Sequence, residues 1–105
     1  MAAPGKRVGK KAKNEDFYRA ILLLKNEEEC YSFFRDVCTV NELRAMEQRF
    51  EVARLLASGH IYNDILETTG ASSATISRVN RSLQYGADGY SVVFERLGPL
   101  KEEND

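Results

Sequence analysis

Residues 61–83 read IYNDILETTGASSATISRVNRSL, and they predict two short helices joined by a tight glycine turn. Gly70 can adopt the positive φ with which many helices end. Ser72 or Ser73 can then cap the second helix by accepting a backbone N–H bond. Apolar residues at helical spacing on either side of the turn can meet across it. They are Ile65, Ile76 and Val79.

The outward face of the second helix is small, polar or basic. It carries Ser73, Ala74, Ser77, Asn80 and Arg81. A helix-turn-helix needs such a face to enter the major groove of DNA. Two positions depart from many such motifs, because Leu66 stands where a small residue is usual and Thr69 where an apolar one is usual. The alternative interpretation is an ordinary pair of helices whose polar face is only solvated.

The chain has 105 residues, of which 43% are hydrophobic and 30% charged, and this predicts a single globular domain. The net charge of −1 hides an asymmetry, since residues 1–13 hold five basic residues and no acid, whereas residues 14–105 have a balance of −6. We expect residues 1–13 to form a disordered basic arm, which either contacts DNA or is simply solvated. The acidic body does not favour nucleic-acid binding, although residues 72–85 contain two arginines and no acid.

No segment of the sequence indicates a membrane protein. The longest apolar run, residues 20–24, is far too short to cross a bilayer. The basic N-terminus lacks the apolar stretch that follows the charges in a signal peptide. We therefore expect a cytoplasmic protein with no membrane partner.

Residues 14–98 show helical periodicity throughout and predict one all-α domain, followed by a polar tail at residues 99–105. Asn26 with Glu29 can open one helix as a capping box, and Thr39 with Glu42 can open the longest helix. Within that domain the helix-turn-helix is expected at about residues 61–84.

The predicted helices have apolar residues on more than one side. A chain of this size cannot easily cover such surfaces alone, so we expect a homodimer that buries them. The residues expected in the dimer core are Phe17, Ile21, Phe34, Leu43, Met46 and Phe50. A two-fold axis would also suit paired recognition helices that read half-sites about one DNA turn apart.

The residues that could carry enzymatic chemistry are sparse and scattered. His60 is the only histidine, follows Gly59 in an interhelical turn, and is expected to be a surface or helix-capping residue. Cys30 and Cys38 lack zinc-ligand spacing and are expected to be free, buried thiols. We expect neither an enzyme nor a metal site.

From about residue 38 to residue 83 the sequence resembles the tryptophan repressor family, and within it the TrpR-related YerC/YecD proteins. The resemblance is carried by Thr39, Glu42, Ala45 and Arg49 at the long helix, and by Gly70, Ala71, residues 74–78 (ATISR), Ser82 and Leu83 at the second helix of the motif. It implies an all-α, TrpR-like fold that forms an intertwined homodimer with a helix-turn-helix at each end. It also implies transcriptional control through operator binding.

The resemblance places the DNA-reading positions on Ser73, Ala74 and Ser77, with a phosphate contact at Thr75. Asn80 and Arg81 complete the predicted DNA-binding face. These side chains are mostly short, so they favour close approach, water-mediated contacts and contact with thymine methyl groups.

The resemblance also implies a site for an amino-acid-like corepressor. Arg49 and Arg78 match the two arginines that sandwich the indole of tryptophan in the repressor, and Thr39 and Ser82 match the groups that hold its amino-acid end. Val79 stands where the repressor has glycine, so its side chain should hinder tryptophan. Alternatively, the two arginines pair with Glu47 or Glu51 or remain solvated. We expect no small ligand, and an amino-acid-like effector is the alternative.

The predicted function is therefore that of a sequence-specific, DNA-binding transcriptional regulator, acting as a repressor on double-stranded DNA with or without an effector. The alternative is a helical protein-interaction dimer that has lost DNA binding. The acidic body favours this alternative, as do Asn63 and Leu66, which replace basic residues of the repressor.

Overall fold

The computed structural model describes residues 13–100, and this part of the chain is helical, with no strand. The predicted all-α class is therefore confirmed. The six helices are α1 (Glu15–Leu22), α2 (Glu27–Val37), α3 (Val40–Ala57), α4 (Tyr62–Thr69), α5 (Ser73–Tyr85) and α6 (Gly89–Leu97). The chain divides into two compact units, one ending at Val37 and the other beginning at Cys38. Most of the predicted arm and tail lies outside the described residues.

The first unit consists of α1 and α2, which are held by local caps and aromatic contacts. Asn14 caps α1 by accepting the backbone N–H of Phe17 (3.2 Å). Asn26 accepts the backbone N–H of Glu29 (2.8 Å), as predicted, but the Glu29 carboxylate accepts from the backbone N–H of Lys25 (2.9 Å), one residue earlier than in a capping box. The rings of Phe17 and Phe33 lie 6.1 Å apart and join the two helices.

Neither α1 nor α2 has a buried residue in the single chain. Leu22 and Leu23, at the end of α1, are 82% and 75% exposed. Cys30 is exposed and Cys38 partly so, which makes the expectation of two buried thiols wrong for Cys30. A unit of only two short helices is too small to bury more than one side of each helix. The other sides of α1 and α2 therefore stay exposed in the single chain.

The second unit begins with α3, the longest helix of the described chain, whose start follows the predicted capping box. The Thr39 hydroxyl accepts the backbone N–H of Glu42 (3.1 Å), and the Glu42 carboxylate accepts the backbone N–H of Thr39 (2.8 Å). The helix ends before Ser58, and the backbone N–H of His60 donates to the Leu55 carbonyl (3.0 Å). His60 is partly buried, so it helps to end the helix as predicted but is not simply a surface residue.

The core of the second unit lies where α3 meets α4 and α5. It is entirely apolar and consists of Val52, Ala53, Ile65, Ala71, Ile76 and Val79. Ile65 and Ile76 have no exposed surface, and burial of each such side chain contributes about 1.5–3 kcal/mol. The two helices of the motif therefore meet across the turn through the residues that the sequence predicted.

The last helix, α6, packs on this core through Tyr90 and Phe94. The Phe94 ring lies 5.7 Å from the Tyr90 ring and 5.5 Å from the Phe50 ring of α3. Gly89 is the first residue of α6. The first turn of a helix tolerates glycine because its backbone N–H groups lack intrahelical partners in any case.

Of the six residues expected in the dimer core, none is buried in the single chain. Phe50 remains 40% exposed. No helix of residues 13–100 has the length and apolar character needed to cross a membrane.

Candidate nucleic-acid interface

The turn between α4 and α5 depends on the conformation of Gly70. Its φ of 70° lies in the left-handed region, where a residue with a Cβ is strained. The Gly70 N–H donates to the Leu66 carbonyl (2.9 Å), which ends α4. Ala71 follows and is only 4% exposed, so the chain turns directly into the core.

Thr69 holds this turn with its hydroxyl group. Its Oγ1 donates to the Ile65 carbonyl (2.7 Å) and accepts the backbone N–H of Ala71 (3.1 Å). The Thr69 carbonyl in turn accepts a hydrogen bond from Gln48 Nε2 of α3 (3.2 Å). The sequence marked Thr69 only as a departure from the usual motif and did not single out Gln48. A threonine at the last position of α4 could have predicted this turn-stabilising role, because its hydroxyl readily bonds to nearby backbone groups.

The cap of α5 is Ser72, which resolves the choice between two adjacent serines. The Ser72 hydroxyl accepts the backbone N–H of Thr75 (3.1 Å) and lies 3.1 Å from the Thr75 hydroxyl. Ser73 is the first residue of the helix and is exposed. The hydroxyl of Ser72 is therefore engaged in capping α5, whereas the exposed Ser73 is not the cap.

Most of the predicted DNA-binding residues fall on the side of α5 that faces away from the core, and Thr75 and Asn80 lie at the edges of that side. Ser73, Ala74, Ser77 and Arg81 are exposed, and Thr75 and Asn80 are partly exposed. On the opposite side Ile76 and Val79 are buried, as the helical period requires. The fold thus buries one face of α5 and exposes the other, which is polar apart from Ala74 and carries the two arginines Arg78 and Arg81.

The four predicted effector residues are not all brought together within one chain. Arg78 and Ser82 are four residues apart on α5 and share one face, and α5 packs against α3, which carries Arg49. Thr39 precedes Arg49 by ten residues, which is about 15 Å along a helix axis. The backbones of Thr39 and Arg49 in one chain are therefore about as far apart as a small ligand and an extended arginine side chain can reach together.

The alternative ion pairs of these arginines are not formed in the structure. Within residues 13–100 the ion pairs shorter than 4.0 Å are those of Arg19 with Glu15 (3.2 Å) and Asp16 (3.4 Å). Arg78 is exposed and Arg49 partly exposed. Val79, which was expected to fill the ligand space, is 2% exposed and belongs to the core.

An open apolar groove of about 510 Å³ runs beside Ser82. Its walls are Phe50, Ser82, Gly86, Ala87, Gly89, Tyr90 and Val93. Gly86 ends α5 by donating its N–H to the Ser82 carbonyl (2.9 Å), and a Cβ at this position would collide with that same carbonyl oxygen. The close approach of the Gly86 backbone shapes this end of the groove.

Comparisons with known proteins agree on one family. Residues 12–98 match the family described as Trp repressor protein. The chain is 48% identical over 90 residues to the uncharacterized protein YerC of Bacillus subtilis (strain 168), and the match covers 86% of each chain.

Two solved structures share the fold. The crystal structure of a TrpR-like protein from Eubacterium eligens ATCC 27750 is 60% identical, with a TM-score of 0.79, and the match covers 84% of this chain and 91% of the other. That of a proposed Trp repressor from Staphylococcus aureus is 49% identical, with a TM-score of 0.76, and the match covers 79% and 83% of the two chains. Sequence and fold thus agree, and the chain belongs to the Trp repressor protein family.

Proposed function

We propose that this protein is a sequence-specific, DNA-binding transcriptional regulator that acts as a repressor. The observation that carries the proposal is the division of α5 into a buried face and an exposed, acid-free polar face, with Ile76 at 0% exposure on one side and Ser77 at the surface on the other. A helix that enters the major groove needs this arrangement. Membership of the Trp repressor family supports it.

The roles of the individual residues follow from their chemistry. Arg81 is an exposed cation of the face, three residues after the exposed Arg78, and suits a phosphate oxygen, which it would bind irrespective of sequence. Ser73, Ala74 and Ser77 are short and allow close approach to the edges of the bases. Thr75 is held against Ser72, so its contact with DNA would come from a fixed hydroxyl.

The regulator is proposed to act as a homodimer. Support comes from the absence of any buried residue in α1 and α2, and from the apolar groove beside the half-exposed Phe50. The separation of Thr39 and Arg49 adds to this, because two chains could bring such residues closer together than one chain does. Two copies would also supply two recognition helices for a two-fold symmetric operator.

Light scattering at low micromolar concentration tests the dimer. We expect one species of twice the chain mass, and Phe50→Ala should lower the free energy of unfolding of the dimer by about 3–5 kcal/mol if the ring is fully buried there. Val92→Ala, at a residue of α6 that is 43% exposed and does not line the groove, is the matched control. A stable folded monomer would contradict the proposal.

A second candidate is a helical dimer that binds a protein partner instead of DNA. It is favoured by the balance of −6 over residues 14–105, and by Asn63 and Leu66 in α4, where a phosphate-binding helix would gain from basic residues. Selection of bound duplexes from a random DNA library separates the two candidates. A DNA regulator enriches a defined sequence, whereas a protein-binding dimer enriches none at physiological salt.

The protein is proposed to bind no small ligand at the effector site, and an amino-acid-like effector other than tryptophan is the alternative. The support is the resemblance to the repressor, in which Val79 replaces a glycine close to the ligand, and the absence of an ion pair of Arg49 or Arg78 within residues 13–100. Enrichment of a duplex without any added small molecule would show that DNA binding needs no corepressor.

A further inference from the structure

The hydrogen bond between Gln48 and Thr69 lies outside the proposed reading face, the exposed side of α5 with Ser73, Ala74, Ser77 and Arg81. The proposed function does not account for it. The carbonyl groups in the last turn of a helix have no partner within that helix. In α4 the Leu66 carbonyl is satisfied by Gly70, and the Thr69 carbonyl is satisfied by the Gln48 amide (3.2 Å). This bond is partly buried and joins residues 21 positions apart in the sequence.

Thr69, which accepts this bond, also makes the two side-chain hydrogen bonds that stabilise the turn. The Thr69 hydroxyl bonds backward to the Ile65 carbonyl of α4 (2.7 Å) and forward to the Ala71 amide (3.1 Å). Ala71 is buried and is followed by Ser72, the cap of α5. A shift of the Thr69 carbonyl would therefore displace the start of α5 and the reading face with it.

Apolar packing alone leaves this position poorly determined. The contact of α3 with α4 and α5 is made by aliphatic side chains, and dispersion contacts of this kind have little directional preference. In the part of the chain that the structure describes, the Gln48 amide makes the one side-chain hydrogen bond from α3 to the helix-turn-helix. A hydrogen bond is directional, so it can fix an angle that apolar packing tolerates.

We propose that Gln48 is a positioning residue for DNA recognition, which sets the orientation of the turn and of α5 relative to α3. This inference rests on the proposed function and adds a residue to it that does not touch DNA. Gln48 acts through Thr69, and Thr69 acts through Ala71 and the cap of α5. The pair should therefore affect the discrimination between DNA sequences more than the general attraction to the phosphate backbone.

The test uses the full chain and the duplex enriched by selection, with a scrambled duplex of the same length and composition. Gln48→Met keeps the length of the side chain but removes the donor, and Gln48→Lys keeps a donor of similar reach. Thr69→Val removes the hydroxyl, and Thr68→Val makes the same change at the neighbouring exposed residue of α4 as a matched control. Affinities for both duplexes are measured well below every melting temperature, together with hydrogen exchange at the Ala71 amide.

We expect Gln48→Met to weaken binding to the selected duplex by about three- to tenfold, the range that corresponds to one hydrogen bond of ordinary net strength. Binding to the scrambled duplex should change by less than twofold, and exchange at Ala71 should accelerate. Gln48→Lys should recover part of the discrimination. Thr69→Val should behave like Gln48→Met, and Thr68→Val like the parent.

The outcomes separate the two proposals. If the parent enriches and binds no duplex, the proposed function is wrong and the role of Gln48 falls with it. If the parent binds a selected duplex and Gln48→Met discriminates as the parent does, the positioning role is wrong and the DNA-binding function stands. A merely stabilising role would lower the melting temperature and leave the ratio of the two affinities unchanged, and this result also overturns the inference.

Discussion

Arg54 of α3 donates a hydrogen bond from Nη2 to the carbonyl oxygen of Gly98 (3.0 Å), the residue that ends α6. The same guanidinium lies 5.4 Å from the centre of the Phe94 ring. A cation at the carboxyl end of a helix is favourable because that end carries partial negative charge. Arg54 of α3 therefore holds α6 through two contacts of one side chain, a hydrogen bond and a cation–π contact.

Replacement of Arg54 by alanine should release the end of α6. The lost hydrogen bond and cation–π contact together predict a decrease of about 1–3 kcal/mol in the free energy of unfolding. Urea denaturation measures it, and Arg44→Ala, at an exposed arginine of the same helix, is the control with an expected change below about 0.5 kcal/mol. Equal losses in the two variants would show that α6 does not depend on Arg54.

Two glycines should respond oppositely to the same substitution. Gly86→Ala places a Cβ against the Ser82 carbonyl, so we expect it to destabilise the protein by about 1–3 kcal/mol. A Cβ at Gly89 meets nothing within 4 Å, and alanine there should be neutral or stabilise α6 by up to about 1 kcal/mol. Thermal unfolding of both variants checks the pair. A parent-like Gly86→Ala would show that the end of α5 can move aside.

Under the proposed function, Arg81→Ala should weaken binding to all DNA sequences alike. If Arg81 contacts one phosphate, the slope of log K against log salt should become shallower by about one unit. Arg96→Ala removes an exposed arginine from α6 and should leave both quantities unchanged. A salt slope that both replacements reduce equally would assign the effect to net charge and not to the face of α5.

Ser77→Ala should instead alter which duplex is preferred, because the residue lies on the exposed face opposite buried Ile76. The hydroxyl can bond to a base edge and the methyl group of alanine cannot. Repeating the duplex selection with the variant measures the change. Recovery of the parental sequence would remove Ser77 from the reading face.

We predict that L-tryptophan binds weakly or not at all. The side chain of Val79 is buried, so forcing an indole ring beside it should cost about 1–3 kcal/mol. Val79→Gly should improve binding but destabilise α5, by about 1 kcal/mol for glycine in a helix and by more for the cavity that it leaves in the core. Titration calorimetry of the parent, Val79→Gly and the control Val92→Gly tests this. Micromolar binding by the parent would show that Val79 does not obstruct the site.

The parts of the fold that depend on neighbouring residues could be predicted from the sequence. The capping box of Thr39 and Glu42 and the glycine turn at Gly70 are both signalled within four residues, and both are present. The periodicity also assigned Ile65 and Ile76 to one core. These features depend on hydrogen bonds between near neighbours and on helical spacing, so a single sequence is enough to predict them.

What could not be predicted depends on tertiary placement. Gln48 and Thr69 lie 21 residues apart on different helices, and no sequence period relates them. The sequence around a polar residue on a long helix does not indicate which group it will bond to. The exposure of Cys30 depends on how much protein surrounds α2, which the pattern of one helix does not contain. The effector residues could be named by resemblance, but the burial of Val79 in the core and the lack of ion pairs of Arg49 and Arg78 among the described residues depend on the packing of α5.

The division of labour between Ser72 and Ser73 has a consequence for how such a protein can change its target. The helix takes its cap from Ser72, so a mutation there would cost stability before it altered any contact with DNA. Ser73 follows it, does not cap the helix and is exposed at the surface. If α5 reads DNA, a substitution at position 73 can change the preferred operator without removing the cap that stabilises α5.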